Sequence, residues 1–162
     1  FFLNRLTDTL EGHYDLPYDV VSAVTKNRSD NFLDVYNRAD ALTQFKGTEK
    51  LSGLLAPFER IKNITDETKE NFNPELFQKE QEQLLWQEYI KKNNNIIEAI
   101  EDKDYIKAID RLTELKEPID NYFENVLVMA DDPKIRRNRI AFLSELQNLF
   151  ERIGDLTQIE EN

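Results

Sequence analysis

The sequence predicts an all-α protein, an antiparallel bundle of about seven or eight helices. Apolar residues recur at three- and four-residue spacing along most of the chain, the period of one helix face. Gly and Pro are sparse, four and five in 162 residues, too few for an all-β protein with many tight turns. The only run that could be a strand, Val126-Leu127-Val128-Met129, is too short to tell from buried helix. A chain of this length fits one domain, or two closely packed halves, and its 40% hydrophobic residues, with ten Phe, six Tyr and one Trp, suffice for a core.

The elements follow in order. Residues 1–10 read as a helix with Leu3, Leu6 and Leu10 on one face and Gly12 as its cap. His13, the only His, follows in a loop with no Cys or acid cluster nearby, so it reads as a loop residue rather than a ligand or base. Pro17 opens a second helix, capped by Asp15, through Tyr18, Val21 and Val24. Ser29 or Asp30 caps a third, through Phe32, Leu33, Tyr36, Leu42 and Phe45. Gly47 and Thr48 supply a turn and a new cap. The pattern Leu51, Leu54, Leu55, Phe58, Ile61, Ile64 contains Pro57, so a kink or break is expected at Ala56–Pro57.

Residues 65–73 are polar and charged and read as a connector between an N-terminal helical half, 1–64, and a C-terminal half, 74–162. Asn73-Pro74 is a cap followed by Pro. A helix from about Glu80 must cross Asn93-Asn94-Asn95, all poor helix formers, so packing of Ile96, Ile97 and Ile100 has to override propensity. Residues 102–104 form a turn, and Asp104 caps a helix through Ile106, Ile109, Leu112 and Leu115. Pro118 marks a helix boundary or kink.

The stretch from Pro118 to Thr157 is the densest in signals. Asp132-Pro133 starts a helix whose apolar face is Ile135, Ile140, Leu143, Leu146, Leu149, Phe150 and Ile153, with one five-residue gap. Gly154 stands where a left-handed cap is expected. Its first turns carry Lys134, Arg136, Arg137 and Arg139, with Asn138 among them. Cations there oppose the helix dipole. Either Asp131, Asp132 and Glu145 neutralise them, or they form a patch for phosphates and bases.

These residues resemble the C-terminal end of the β subunit of bacterial glycyl-tRNA synthetases. The resemblance rests on Tyr122-Phe123, Val126-Leu127-Val128-Met129, Asp131-Asp132, Arg136-Arg137-Asn138-Arg139-Ile140 and the ending Gly154-Asp155-Leu156-Thr157. Tyr122, Leu127 and Ile140 depart from the usual Phe, Met and Leu but keep apolar volume. Residues 18–24 and Phe58-Glu59-Arg60-Ile61-Lys62-Asn63-Ile64 are also similar, with Glu59 replacing a basic residue. The resemblance implies a DALR-type anticodon-binding domain, a helical bundle shared with arginyl-tRNA synthetases. It implies recognition of glycine tRNA at the anticodon, in support of ATP-dependent glycyl-tRNA formation by a cytoplasmic α2β2 enzyme. ATP and Mg would serve the whole enzyme, at a site in the α subunit, and this domain would hold no cofactor and no catalytic centre. The contact residues implied are Lys134, Arg136, Arg137, Asn138 and Arg139, with Arg60, Lys62 and Asn63 as a second contact. The residues leave other readings open: Arg60 paired with an acid, Asn63 as a helix cap, and a protein-docking module with no RNA contact.

Composition narrows the function classes. The net charge of −11 opposes charge-driven nucleic-acid binding and confines any RNA to one local face; no DNA partner is expected. Without Cys there is neither a disulfide framework nor a thiolate metal site, consistent with a reducing compartment. No apolar run spans a membrane and no signal peptide is visible. The chain begins Phe-Phe-Leu in what reads as mid-helix, so a piece of a longer protein is expected. No Gly-rich phosphate loop, metal-ligand spacing or nucleophile–base pattern occurs.

Overall fold

The computed structural model describes residues 2–26, 31–65 and 70–161. These fold into eight α-helices: α1 (Phe2–Gly12), α2 (Tyr18–Thr25), α3 (Phe32–Phe45), α4 (Glu49–Ile64), α5 (Glu80–Glu101), α6 (Tyr105–Thr113), α7 (Lys116–Asn125) and α8 (Pro133–Glu151). Single 3-10 turns lie at Pro74–Leu76 and Leu156–Gln158, and the described residues contain no strand. The fold is an all-α bundle, as the spacing predicts. Ser29 and Asp30, and residues 66–69 of the expected connector, lie outside the described residues.

The bundle is built around α4, which packs on α6, α7, α8 and the last 3-10 turn. Helix α5 lies on α6 and α7, while α2 lies on α1 and α3. The core joins both halves of the chain: Phe58 of α4 meets Phe150 of α8 with ring centroids 5.6 Å apart, and α3 packs on α6. Helix α8 contributes the most buried residues of any described helix, with Phe142, Leu143 and Leu146 fully buried. Its start is as the sequence indicates: the Asp132 side chain accepts from the Lys134 and Ile135 N–H groups, with Pro133 in the first turn. Asp104 and Thr48 likewise cap α6 and α4. Helix α5 crosses Asn93–Asn95 unbroken because Ile96, Ala99 and Ile100 are buried beyond them.

Four local expectations are corrected. Helix α4 does not break at Pro57. An interior Pro costs about 3 kcal/mol, whereas each fully buried Leu or Phe contributes about 1.5–3 kcal/mol. Leu51, Leu54 and Leu55 before Pro57, and Phe58 and Ile61 after it, are all buried, so burial wins. Asp15 does not cap α2; it sits at φ 54° and Pro17 takes the cap position with no side-chain bond. Gly12 is the last residue of α1 rather than a left-handed cap. Asn73 with Pro74 does act as a cap followed by Pro, starting the 3-10 turn Pro74–Leu76, and α5 begins at Glu80 as expected. Gly154 has no positive φ. Its requirement is room: a Cβ there would stand 2.9 Å from the Ala23 carbonyl oxygen, and the next residue, Asp155, donates its N–H to that same oxygen at 2.8 Å.

That close approach is one of several polar ties between α2–α3 and residues 153–160. Arg38, 3% exposed, donates to the carbonyls of Val24 (3.3 Å) and Ile153 (3.0 Å) and to Asp34 (3.1 Å). Asp19 is buried, paired with Lys46 at 2.7 Å, and accepts from the Glu160 N–H at 2.9 Å.

Candidate nucleic-acid interface

The basic cluster at the start of α8 divides into two sets. Asn138 and Arg139 face inward, 6% and 4% exposed. The Asn138 amide donates to the Asn73 carbonyl at 3.1 Å and accepts from the Asn73 N–H. Arg139 donates through Nε and Nη2 to the two carboxylate oxygens of Glu82, at 3.0 and 3.2 Å, and through Nη1 to the Leu127 carbonyl at 2.8 Å. Glu82, fully buried, also accepts from the Gln78 and Lys79 N–H groups at the start of α5, both at 2.9 Å. Four donors thus reach this carboxylate, three on Oε2 and one on Oε1, which is the kind of compensation a buried charge needs. Neither Asn138 nor Arg139 therefore presents a free polar edge. Of the acids expected to neutralise the cluster, Asp132 caps the helix, and none of Asp131, Asp132 or Glu145 forms an ion pair with it; Glu82 takes that role.

Tyr122 lies beside the same pair, its hydroxyl buried without a hydrogen-bond partner among the described residues. Burial, and then the Glu82 charge, push its pKa well above the ordinary tyrosine value, so the phenol stays neutral.

Lys134 and Arg137 face outward. Both are exposed, three residues apart on one helix face, and neither side chain has a hydrogen bond or ion pair among the described residues. Arg136 is between the two sets: half-buried, it donates to the Ala130 carbonyl at 3.1 Å. Arg136 and Arg139 thus hold the carbonyls of Ala130 and Leu127 from behind, fixing the α7–α8 connector.

That connector leaves α7 with Val126 in extended backbone and bends at Val128–Met129. Val126 and Val128 are buried, while Leu127 and Met129 are 68% and 52% exposed, so alternate side chains face inward and outward. Leu127 and Met129 share a groove of about 390 Å³ with Arg60, Ile64, Phe123, Glu124 and Asn125. The Arg60 guanidinium lies 4.2 Å from the Phe123 ring centroid, a cation–π contact that leaves its N–H groups free. Arg60 is not paired with an acid, and Asn63, exposed and three residues on, shares its face.

Lys62 points the other way. It donates to Asp155 at 2.6 Å and to Thr157 at 3.3 Å, with Lys26 on the same Asp155 oxygen at 2.9 Å. Burial pushes the Asp155 pKa up, but the hydrogen bonds from Lys62, Thr157 and Lys26 outweigh it and hold the carboxyl well below the ordinary range. Lys62 is thus engaged in the tie between α4 and the C-terminal turn.

The structure therefore leaves Arg60, Asn63, Leu127, Met129, Lys134 and Arg137 exposed, holds Arg136 half-buried on the Ala130 carbonyl, and places Lys62, Asn138 and Arg139 in internal contacts. Sequence reasoning did not single out Glu82, nor Leu127 and Met129 as surface residues. The alternation in Val126–Met129 was the available signal for the second, and the five-residue gap in the α8 apolar face was the signal for buried polar groups. Among the described residues no cluster of three or more His, Cys, Asp or Glu could hold a metal ion, and no helix is long and apolar enough to cross a membrane.

Comparison with known proteins gives a consistent outcome. The family described as DALR anticodon binding domain matches residues 54–161, a span that begins within α4 and contains α5 through α8. The chain is 35% identical to the glycine–tRNA ligase beta subunit of Syntrophus aciditrophicus, over 98% of this chain and 23% of that protein. It is 33% identical to the same subunit of Geotalea daltonii, over 98% of this chain and 22% of the relative. The Thermotoga maritima subunit is also 33% identical, over 98% and 24%. The chain thus spans about a quarter of the length of these curated relatives.

Proposed function

The chain belongs to the DALR anticodon binding domain family, and on that premise we propose that it is the tRNA-recognition module of a glycine–tRNA ligase beta subunit, gripping the anticodon region of glycine tRNA. One observation carries the reading. Lys134 and Arg137 are exposed and have no ion pair among the described residues, and the α7–α8 connector that precedes their helix exposes an apolar pair, Leu127 and Met129, in a groove with the uncommitted guanidinium of Arg60. Cations serve phosphates, while apolar side chains and planar guanidinium groups serve unstacked bases, the combination used on single-stranded RNA. Asn63 adds an amide on the Arg60 face. A net charge of −11 confines the RNA to this surface.

In this reading the joining of glycine to tRNA, with ATP and Mg, is the work of a cytoplasmic α2β2 enzyme whose α subunit holds the glycine and ATP site. The domain contributes the grip on tRNA. A second reading, a module that docks protein rather than RNA, is supported by the acid-rich groove lined by Glu88, Glu114, Glu117, Asp120 and Glu124, with Leu84 exposed beside it.

The test is binding of glycine tRNA by the full-length protein across a salt series. Each phosphate contact on a single strand contributes about 0.7 to the slope of log affinity against log salt. The Lys134→Ala/Arg137→Ala variant is expected to bind more weakly with a slope lower by about 1.4, its helical CD signal unchanged. Unaltered affinity and slope, with loss of subunit assembly instead, would establish the docking reading.

A further inference from the structure

We propose that the outer face of α1–α3 is a docking surface for another part of the same polypeptide, and that its seat is the ring cluster of Tyr14, Phe32 and Tyr36. The occupant is drawn from the rest of a glycine–tRNA ligase beta subunit, about three-quarters of which lies outside a segment of this length. The proposal rests on the reading of the chain as one module of that subunit. It goes beyond that reading, since it concerns neither tRNA nor the elements that would hold it.

The cluster stands on the side of α3 turned from the core. Val35, Ala39 and Leu42 take the buried side of that helix. Phe32 and Tyr36, four residues apart, stack with ring centroids 6.5 Å apart and planes 12° from parallel. Tyr14, just beyond α1, tilts onto both, 6.0 Å from Phe32 and 4.8 Å from Tyr36. Leu33, three residues before Tyr36 and so on its face, is 62% exposed, and Tyr14 is 42% exposed. A lone exposed Leu is ordinary on a protein surface. Contiguous apolar surface with tyrosines, already ordered by ring contacts, is what the centre of an interface offers. The hydroxyls of Tyr14 and Tyr36 have no hydrogen bond among the described residues, so each keeps a donor and an acceptor for a partner.

The extent of the two sequence matches points to the same subunit as the occupant. The anticodon-binding family match begins at residue 54, after α3, whereas the beta-subunit relatives match over 98% of this chain. The α1–α3 layer is thus matched in beta subunits and lies outside the anticodon-binding module proper. The polypeptide tethered to such a segment meets it at an effective concentration of order mM. Contacts between domains of one chain are accordingly modest, about 600–1,500 Å² and more polar than obligate interfaces. Three rings with a polar rim fit that class. The rim narrows the partner: Glu11 and Asp15 flank Tyr14 in sequence, exposed and without an ion pair among the described residues, and Asp40 follows Tyr36 by one helical turn. The occupant is therefore an apolar segment flanked by Lys or Arg. None of Arg60, Asn63, Lys134 and Arg137 lies on α1–α3, and Arg38 and Asp19 tie this layer to residues 153–160. Docking at α1–α3 would then fix the direction in which the RNA-facing residues point.

The experiment uses the full-length protein with a photoreactive benzophenone amino acid in place of Tyr14. On illumination it is expected to join to a peptide of the same polypeptide outside residues 1–162, identified by mass spectrometry. Leu33→Asp is expected to lower that capture at least tenfold with the helical CD signal unchanged, because an Asp in the first turn of α3 suits the helix dipole. Capture confined to residues 1–162, capture by a second copy or by another subunit, or no capture at all overturns the proposal. Capture that Leu33→Asp leaves within twofold also overturns it. Glycine tRNA binding is measured on the same samples. Its persistence beside failed capture sinks the docking surface and leaves the tRNA reading standing; its absence beside successful capture sinks the tRNA reading alone.

Discussion

Arg137 and Arg139 are two residues apart on one helix and belong to different parts of the protein. Arg139 is 4% exposed, locked on Glu82 and the Leu127 carbonyl; Arg137 is exposed and has no ion pair among the described residues. The same residue type serves as internal framework in one place and as available charge in the other. A basic motif in sequence is therefore a mixture, and helix phase sorts it: a step of two residues turns a side chain by about 200°. The same sorting separates Arg60 from Lys62 on α4, where one opens on the groove and the other closes on Asp155.

The comparison can be broken in several ways. The largest effect is expected at Arg139→Ala, which strands the Glu82 carboxylate in the core and should cost about 3–5 kcal/mol, read from denaturant midpoints. A loss under 1 kcal/mol would show that water reaches the pair. Leu146→Ala, on the fully buried face of α8, should cost about 2–5 kcal/mol by the same measurement, and little change would mean that the face has been misjudged.

Asp155 sharpens the contrast through pH. Its folded pKa is depressed, so its contribution is fully present above the value of a free Asp, about 3.9, and is lost as pH falls below that. Asp155→Asn should be less stable than the parent at pH 7, and the two should converge as urea midpoints are followed down through pH 4 to pH 2. Parallel curves would remove Asp155 from the account. Smaller again is Arg60→Ala, which forfeits an exposed cation–π contact with Phe123 of about 0.5–1 kcal/mol. The smallest stability change, within about 0.5 kcal/mol, is expected for Arg137→Ala. A large loss of stability at Arg137 would erase the distinction between inside and outside.

Most of the helices could be read from spacing and caps: Asp132-Pro133, Thr48 and Asp104 each start a helix where their side chains indicate. What misled was local chemistry overruled by packing. Pro57 is a helix breaker by its own properties, but five buried neighbours on α4 hold the helix through it. Gly154 suggests a left-handed turn, whereas its lack of a side chain serves the approach of Ala23, which lies 131 positions earlier and leaves no local mark. The site was legible as composition and illegible as orientation. The sequence places four cations in six residues at the start of α8, but the acid that claims Arg139 is Glu82, 57 residues away. The outward set could be recognised only once that partner was known. Leu127 and Met129 showed their alternation in plain view, but a four-residue run is also what a buried turn of helix looks like.

The ties between residues 153–160 and α2–α3 bear on how the bundle closes. Arg38, Asp19 and the Ala23 carbonyl all find partners in the last ten described residues, more than a hundred positions downstream. Without residues 153–160, Arg38 keeps only Asp34 and the Val24 carbonyl, and Asp19 only Lys46 and the Val20 N–H. The early helices can form on local contacts, but their set of polar partners is completed only when Ile153 to Glu160 dock. Closure of this bundle is accordingly completed by its last turn rather than by its first helices.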